Sequence, residues 1–201
     1  MSRNKRIKQI VNFYRIIIAY IIIITNKKGF KDFIYDEMYY WNKCCQLNLC
    51  NKIDILSILL IEVKEYRSLL IYRMRKKSLI KSILLKIIFP PLDSLYITTK
   101  DIGPRLFIQH GFSTIISAKK IGSDCWINQQ VTIGWDSEDE PPTIGNGVRI
   151  CAGAKVIGKI KIGNNVTIGA NAVVVKDVID NKIVAGVPAK IIKDKNKLEK
   201  V

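Results

Sequence analysis

The chain has 201 residues, which is enough for one domain with a sizeable core or for a small domain with a helical region beside it. With 48% hydrophobic and 25% charged residues, its composition excludes the disordered and collagen-like classes. The net charge of +16 is compatible with nucleic acid or an anionic membrane as a partner, and a single histidine excludes metal sites built from several histidines.

The first half of the chain carries helical patterns. Apolar residues recur at helical spacing over residues 5–25, 30–47 and 53–88. Pro90 and Pro91 end this region, because proline cannot continue a helix. We therefore expect a helical region before the β-rich part of the chain.

The apolar run at residues 16–24 is about half of the ~20 residues that a membrane-spanning helix needs. No small-residue cleavage site follows it, so a secretory signal is not predicted either. Two alternatives stay open: a helix buried in a core, or a basic, Ile-rich helix lying on an anionic membrane.

Most of the charge also belongs to the first half. Residues 1–100 contain 19 Lys and Arg against 7 Asp and Glu, a net charge of +12, whereas residues 101–201 contain 14 against 10, a net charge of +4. The two halves are therefore predicted to be different modules. A basic charge without an aromatic-interleaved motif does not predict nucleic-acid binding.

The cysteines give no sign of a disulfide framework or a zinc site. Their number is odd, and they lack a paired CxxC motif with a neighbouring histidine. They are Cys44, Cys45, Cys50, Cys125 and Cys151. Free thiols of this kind favour a cytoplasmic protein.

The second half repeats with a period of six residues. Ile or Val occupies ten positions in two frames, with an offset of eleven between Ile133 and Ile144: Ile115, Ile121, Ile127, Ile133, Ile144, Ile150, Val156, Ile162, Ile168 and Val174. This period does not fit an amphipathic helix, but it fits short strands joined by tight turns, each hexad forming one side of a coil. The repeat predicts a β-helix whose ten anchors point inward.

Two other positions of the hexad support this prediction. The residue after the anchor is often glycine, which we expect to admit the backbone angles of the corners. These glycines are Gly122, Gly134, Gly145, Gly163 and Gly169. The fifth position is small or apolar, as in Cys125, Val131, Val148, Ala154, Ile160, Val166 and Ala172.

Several motifs stand within the repeat. They are IQHG at residues 108–111, QVTIG at 130–134, AGAK at 152–155, IGA at 168–170 and VAGVPAK at 184–190. On these motifs, residues 106–193 resemble the hexapeptide-repeat acyltransferases, and most of all the serine acetyltransferase-like group with its polysaccharide O-acetyltransferase relatives.

The resemblance implies a mainly β fold, a left-handed parallel β-helix with an N-terminal α-helical cap. The expected segments are a helical region at 1–100, the β-helix acyltransferase domain at 101–192 and a basic tail at 193–201. A homotrimer with active sites between neighbouring subunits is also implied, with acetyl-CoA as co-substrate and no metal.

His110 is the candidate catalytic residue. Transfer of an acetyl group from a thioester to a hydroxyl needs a base that titrates near neutral pH, and histidine is such a base. Direct transfer needs no Cys or Ser nucleophile, although a backbone N–H must stabilise the oxyanion. Its place before Gly111 in the family motif favours this role over that of a histidine without function.

Acetyl-CoA contacts are implied by the same resemblance. Small residues would flank the pantetheine arm and lysines would bind the phosphates, although coil corners favour small residues in any case. The candidates are Gly134, Ala152, Ala170, Lys155, Lys176 and Lys190.

The break in the repeat at residues 134–143 is an acidic loop. In serine-specific relatives this loop ends in Arg-His-Pro, and Asp precedes the first histidine, whereas here Glu140, Pro141 and Gln109 stand at those places. The acidic loop predicts poor binding of the serine carboxylate. Without Asp at 109, a backbone carbonyl or Asp124 would have to orient His110.

Sugar recognition is the alternative use of this loop. A tryptophan face can stack on a pyranose ring, and amide or acidic side chains can hold its hydroxyls. The candidates are Trp135, Asp136, Glu140 and Gln109. A loop anchor packed on the coil is an equal alternative for Trp135.

The sequence therefore predicts an acetyl-CoA-dependent O-acetyltransferase acting on a sugar or other small hydroxyl compound in capsular or exopolysaccharide assembly. Residues 65–73 also resemble the segment before the coil in such enzymes. The alternatives are an L-serine O-acetyltransferase of cysteine biosynthesis and a non-catalytic scaffold. A cytoplasmic location is expected, with peripheral contact at the inner face of the membrane as an option.

Overall fold

The computed structural model describes residues 3–135 and 140–197, and the side chains of helix residues from Ile10 onward. The chain forms two compact units, Met1–Leu92 and Asp93–Val201. The division lies eight residues before the boundary predicted at 100/101. The reason is that Leu95–Ile97 is already a coil strand, which the six-residue frame does not include.

The described residues of the first unit form five α-helices. They are α1 Arg3–Ile24, α2 Lys28–Cys44, α3 Lys52–Glu62, α4 Lys64–Arg75 and α5 Leu79–Ile88. The pattern at 53–88, read as one helical stretch, is thus three helices. Val63 has an extended backbone between α3 and α4, and the Ser78 hydroxyl caps α5 by accepting from Lys81 N at 3.4 Å.

The core of the helical unit holds aromatic rings and one ion pair. Trp41 and Tyr66 are buried and pack edge to face with their centroids 5.4 Å apart. Arg73 Nη2 donates to Glu37 Oε1 at 2.7 Å, and both side chains are buried. Within residues 3–135 and 140–197, no helix combines the length and the apolar character that crossing a membrane requires.

The second unit is a parallel coil with three faces. Face A contains β1 Leu95–Ile97, β3 Thr114–Ile116, β6 Thr132–Gly134, β9 Lys155–Ile157 and β12 Val173–Val174. Face B contains β4 Lys120–Ile121, β7 Thr143–Ile144 and β10 Lys161–Ile162. Face C contains β2 Phe107–Ile108, β5 Trp126–Ile127, β8 Arg149–Ile150, β11 Thr167–Ile168, β13 Lys182–Ala185 and β14 Lys190–Asp194.

The chain visits the faces in the order A, B, C and pairs each strand with the equivalent strand of the next coil. Ile102 and Val178 complete face B through single bridges. The corners form three edges along the coil, which we name A–B, B–C and C–A. The predicted fold class, a left-handed parallel β-helix preceded by α-helices, is confirmed.

The predicted core is correct at nine of the ten anchors. All anchors from Ile121 to Val174 are buried, but Ile115 is 42% exposed and its neighbour Ile116 faces inward. The step from Ile116 to Ile121 is one residue shorter than the regular hexad. The six-residue frame that begins at Ile121 therefore does not extend back across this corner to Ile115, and Ile116 takes the inward-facing position instead. The seven small or apolar residues named above for the fifth position are all buried.

Three of the glycines after the anchors, Gly122, Gly145 and Gly163, allow close approach between coils and do not supply unusual backbone angles. A Cβ on Gly122 would lie 2.6 Å from the Gly145 carbonyl carbon, and one on Gly145 would lie 2.8 Å from that of Gly163. The φ angles of Gly122, Gly145 and Gly163 all lie outside the left-handed region. The expectation that they supply corner angles was wrong, because the left-handed positions belong to other residues, such as Asn165 and Asn171.

The last strand reverses direction. β14 pairs antiparallel with β13, and Lys182 forms an ion pair with Asp194. Residues 193 and 194 are thus part of the coil and not of the tail predicted at 193–201. A short 3-10 turn follows at Lys195–Lys197.

Candidate functional site

His110 lies on the C–A edge, in a corner that is longer than the next one. Ile108 pairs with Ile127 and Ile115 with Thr132, so residues 109–114 span the turn that residues 128–131 make one coil later. The extra length produces a bulge. His110 is exposed there with a φ of 52°, and its carbonyl accepts from Phe112 N at 2.7 Å. The imidazole is therefore open to a ligand.

The neighbouring Gln109 is fixed by two side chains of the next coil. Its Oε1 accepts from Trp126 Nε1 at 3.2 Å and from Asn128 Nδ2 at 2.9 Å. The indole is in turn held edge to face against Phe107, with centroids 4.6 Å apart. Gln109 therefore presents a neutral side chain beside His110, with its oxygen already occupied.

Sequence reasoning missed Trp126 and Asn128. Trp126 follows Phe107, its neighbour in the strand register, by 19 residues, and Asn128 follows Gln109 by the same number. Nineteen residues is the length of this coil. That spacing is the signal that could have found them, since residues one coil apart lie side by side in a parallel β-helix.

Asp124 does not have the orienting role suggested for it. Its carboxylate accepts from Arg105 Nη2 at 2.9 Å on the B–C edge, at the other end of the face C strand. This hydrogen bond and the charge of Arg105 hold the pKa of the Asp124 carboxyl below its usual range. The pair joins two coils and is separate from the His110 corner.

Small residues continue the C–A edge beyond His110. Ala152 and Ala170 occupy equivalent corners, and Asn171 N donates to Ala152 O at 2.9 Å. Lys155 reaches the same edge, where its Nζ donates to Gln130 O at 2.6 Å. The structure thus brings four predicted site residues, Gln109, Ala152, Ala170 and Lys155, onto the edge that carries His110.

A second group of predicted residues lies on the A–B edge. Gly134 ends β6, and a Cβ built on it would meet no atom of residues 3–135 and 140–197 within 4 Å. Trp135 follows it and is exposed. The described part of the chain thus leaves space beside Gly134. Asp136 lies outside the described residues.

Glu140 is neutralised by lysines of this edge. Its carboxylate is 2.9 Å from Lys119 Nζ and 3.7 Å from Lys159 Nζ. The hydrogen bond and charge of Lys119, with the charge of Lys159, lower the pKa of the Glu140 carboxyl. The acidic loop was expected to repel a serine carboxylate, and within the described part of that loop the charge of Glu140 is paired with these two lysines. Glu138 and Asp139 lie outside the described residues.

The predicted phosphate-binding lysines are spread over the coil. Lys176 is exposed on the A–B edge just after β12, and Lys190 is exposed at the start of β14. Lys155, by contrast, is on the C–A edge. One chain therefore does not gather these three lysines into one cluster.

The two groups lie at opposite ends of face A. A three-residue strand separates the edges by roughly 10 Å, and neighbouring coils add ~5 Å. His110 and Gly134 of one chain therefore do not lie side by side, and a small acceptor would not contact both of them. A surface pocket beside the His110 corner is lined by Asp93, Ser94, Tyr96, Ser113 and Ile115.

Known proteins share this coil. Residues 141–176 match the family described as bacterial transferase hexapeptide (six repeats). The serine acetyltransferase of Staphylococcus aureus is 46% identical over 96 residues, which are 46% of this chain and 45% of that protein. The chain thus spans about half the length of the curated relatives that it matches.

Two solved structures have the same fold. Brucella abortus serine acetyltransferase in complex with coenzyme A has a TM-score of 0.69 and 22% identity, over 88% of this chain and 72% of that one. Neisseria gonorrhoeae serine acetyltransferase in complex with serine has a TM-score of 0.64 and 23% identity, over 87% and 73%.

The repeat and the three-faced coil are those of hexapeptide-repeat proteins, and the matched family is one of bacterial transferases. Within that class, the chain is similar to the serine acetyltransferases. The predicted resemblance to hexapeptide-repeat acyltransferases of the serine acetyltransferase-like group is confirmed.

Proposed function

We propose that this chain is an acetyl-CoA-dependent O-acetyltransferase with His110 as its general base. The observation that carries the proposal is the exposed His110, the chain's single histidine, in the lengthened corner of a coil that resembles acyltransferases. A coil that served as a scaffold alone would have no need for an open imidazole at this place.

The reaction follows from the chemistry of the imidazole. An unprotonated ring nitrogen of His110 removes the proton of the acceptor hydroxyl as its oxygen attacks the thioester carbonyl. The carbon–sulfur bond then breaks, and the imidazolium returns the proton to the leaving thiolate. The products are an acetyl ester and CoA with a free thiol.

Two observations support acetyl-CoA as the co-substrate. One structure of the same fold holds coenzyme A. In this chain, the small side chains of Ala152 and Ala170 leave room along the C–A edge for an extended pantetheine arm, and Gly134 would flank that arm only where the A–B edge of a second copy lies beside this edge.

L-serine is the acceptor that the relatives support. The S. aureus relative is a serine acetyltransferase, and the N. gonorrhoeae structure is a complex with serine. The comparisons favour this alternative over the sugar acceptor and the polysaccharide role, which they do not support. The pairing of Glu140 with Lys119 also removes one objection to a carboxylate in the site.

A neutral hydroxyl compound, such as a sugar, is the second candidate. The observation that favours it is Gln109, which carries no charge and whose oxygen already accepts two hydrogen bonds. The serine ammonium group would therefore find no carboxylate at this position.

The central test is acetyl-CoA turnover by His110 variants. Because His110 has a left-handed backbone, His110→Asn is tolerated better than His110→Ala. We expect kcat to fall by about 10²–10⁴-fold in both variants, with unchanged circular dichroism and melting temperature. CoA should be measured by chromatography, because the five free cysteines also react with thiol reagents.

Gln46→Asn is the matched control. Gln46 also has a left-handed backbone, with a φ of 55°, but lies in the helical unit. This variant should keep wild-type turnover. Wild-type turnover in His110→Asn would overturn the proposal, and so would a wild-type protein whose melting temperature does not rise with millimolar acetyl-CoA.

The acceptor is tested by comparing kcat/KM for L-serine with that for neutral sugars. The triple variant Gln109→Asp, Glu140→Arg, Pro141→His restores the residues of the serine-specific relatives. If a neutral compound is the acceptor, this variant should gain at least about tenfold in kcat/KM for L-serine. High wild-type activity with L-serine and no gain in the variant would establish serine and reject the second candidate.

A further inference from the structure

The helical unit exposes an apolar surface on two of its helices. Thirteen large apolar side chains of α1 and α5 are exposed: Ile10, Val11, Phe13, Tyr14, Ile17, Ile18, Ile21, Ile24, Leu79, Ile80, Ile83, Leu84 and Ile87. Among the described residues, α2, α3 and α4 together expose two, Tyr39 and Ile53. We call these thirteen side chains the apolar patch.

Each helix presents the patch as one continuous face. At 100° per residue, the exposed side chains of α1 fall within an arc of about 160°, and those of α5 within about 140°. The exposure is therefore organised along the helices and not scattered, and a face of this width marks an interaction surface.

Polar contacts hold the two helices side by side. Arg15 Nε donates to Ile88 O at 3.0 Å, and the Arg15 guanidinium lies 4.5 Å from the centre of the Phe89 ring. Near the other end of α1, Lys81 Nζ donates to Thr25 Oγ1 at 3.0 Å. The two apolar faces thus belong to neighbouring helices of one compact unit.

The charge around the patch has one sign. α1 and α5 contain no Asp or Glu, whereas their basic residues are Arg3, Lys5, Arg6, Lys8, Arg15, Lys81 and Lys86. The acidic residues of the helical unit are on α2, α3 and α4. An occupant of this surface must therefore be apolar at its centre and anionic around it.

A second copy of the chain fits this surface less well than an anionic partner, because the helices that carry its patch are basic as well. We propose that the apolar patch docks on a membrane surface rich in anionic lipids, with α1 and α5 lying in the interface. Burial of the isoleucines in the acyl boundary and attraction of Lys and Arg to lipid phosphates act together there. This binding is independent of the acetyl-transfer proposal.

The test is vesicle co-sedimentation of the full chain. Vesicles of pure phosphatidylcholine are compared with vesicles that contain about 30% phosphatidylglycerol. We expect binding to the anionic vesicles to be at least tenfold tighter, and to weaken as sodium chloride is raised.

Two isoleucine variants locate the binding surface. Ile80 and Ile87 are 73% and 71% exposed, so Ile80→Gln with Ile87→Gln should fold normally and bind anionic vesicles at least about tenfold more weakly. The matched control is Ile179→Gln with Ile192→Gln in the coil, at 65% and 59% exposure, which should bind as wild type does. Turnover with a soluble acceptor should be unchanged in both pairs.

Three outcomes would overturn the proposal. The first is equal binding to both kinds of vesicle, and the second is an equal loss of binding in the control pair. The third is an oligomer in solution that dissociates in Ile80→Gln, Ile87→Gln while the wild type ignores vesicles, which would show that a second copy covers the patch.

Discussion

The hydrogen bonds that hold Gln109 place an uncharged side chain beside the corner that carries His110. Trp126 and Asn128 both donate to its oxygen, so the side chain is fixed without a carboxylate. If His110 acts as the proposed base, an uncharged amide beside it, whose oxygen already accepts two hydrogen bonds, favours an acceptor that has no ammonium group. The identity of residue 109 is thus the residue-scale feature that bears most on the choice of acceptor.

Gly134 offers a residue-scale prediction about the co-substrate. Its φ is outside the left-handed region and a Cβ would meet no atom of the described residues within 4 Å, so Gly134→Ala should fold with an unchanged melting temperature. If the pantetheine arm passes there, the added methyl group should raise KM for acetyl-CoA by about tenfold. Initial rates at varied acetyl-CoA measure this.

The control for this substitution is another glycine of the coil. In Gly122→Ala, the new Cβ would lie 2.6 Å from backbone atoms of Gly145, so the variant should lose stability. A normal KM for acetyl-CoA in Gly134→Ala would show that the open space beside this residue does not hold the co-substrate.

At the scale of elements, the coil is stabilised by side-chain ladders along its edges. On the B–C edge, Asp180 Oδ1 accepts from Asn164 N at 2.8 Å, and Asn164 Oδ1 accepts from Asn146 N at 2.9 Å. In each of these hydrogen bonds, a side-chain oxygen accepts from a backbone N–H of the preceding coil. Corner asparagines and aspartates therefore join coils that have only two- or three-residue strands.

The end of this ladder predicts a pH dependence. The hydrogen bond from Asn164 N lowers the pKa of the Asp180 carboxyl from its ordinary value of 3.8. The stabilisation is therefore complete above pH 3.8 and is lost as the pH falls through the lower, folded-state pKa. Asp180→Asn keeps the acceptor but cannot titrate.

Thermal melts at several pH values measure this difference. The wild type should be more stable than Asp180→Asn near pH 7, and the gap should close below pH 3.8, where the carboxyl becomes protonated. A gap that stays constant down to pH 2 would contradict the assigned cause.

The sequence predicted these elements where their period was regular. The hexad from Ile121 onward identified the buried anchors, because inward-facing positions of a coil must be apolar in every turn. The sequence prediction misplaced Ile115, because the corner between Ile116 and Ile121 is one residue shorter than a hexad. It also joined α3, α4 and α5 into one stretch, because no proline or glycine separates these helices. His110 was visible as a motif, but its Trp126 and Asn128 neighbourhood needed the register between coils.

At the scale of the whole molecule, the coil divides the candidate site between two edges. His110, Ala152 and Ala170 follow the C–A edge, and Gly134 and Glu140 follow the A–B edge. Since face A separates them, we expect a ring of identical subunits, in which the C–A edge of one chain meets the A–B edge of the next. The homotrimer predicted by resemblance has this arrangement.

The most direct test of a His110 site shared between chains is complementation of two inactive variants. His110→Asn removes the base, and Gly134→Leu fills the space on the other edge; each variant alone should be inactive. When the two are co-expressed in equal amounts, random assembly leaves about a quarter of the interfaces with both native edges, so about a quarter of wild-type turnover should return. Co-assembled chains that remain as inactive as either variant alone would contradict the shared site.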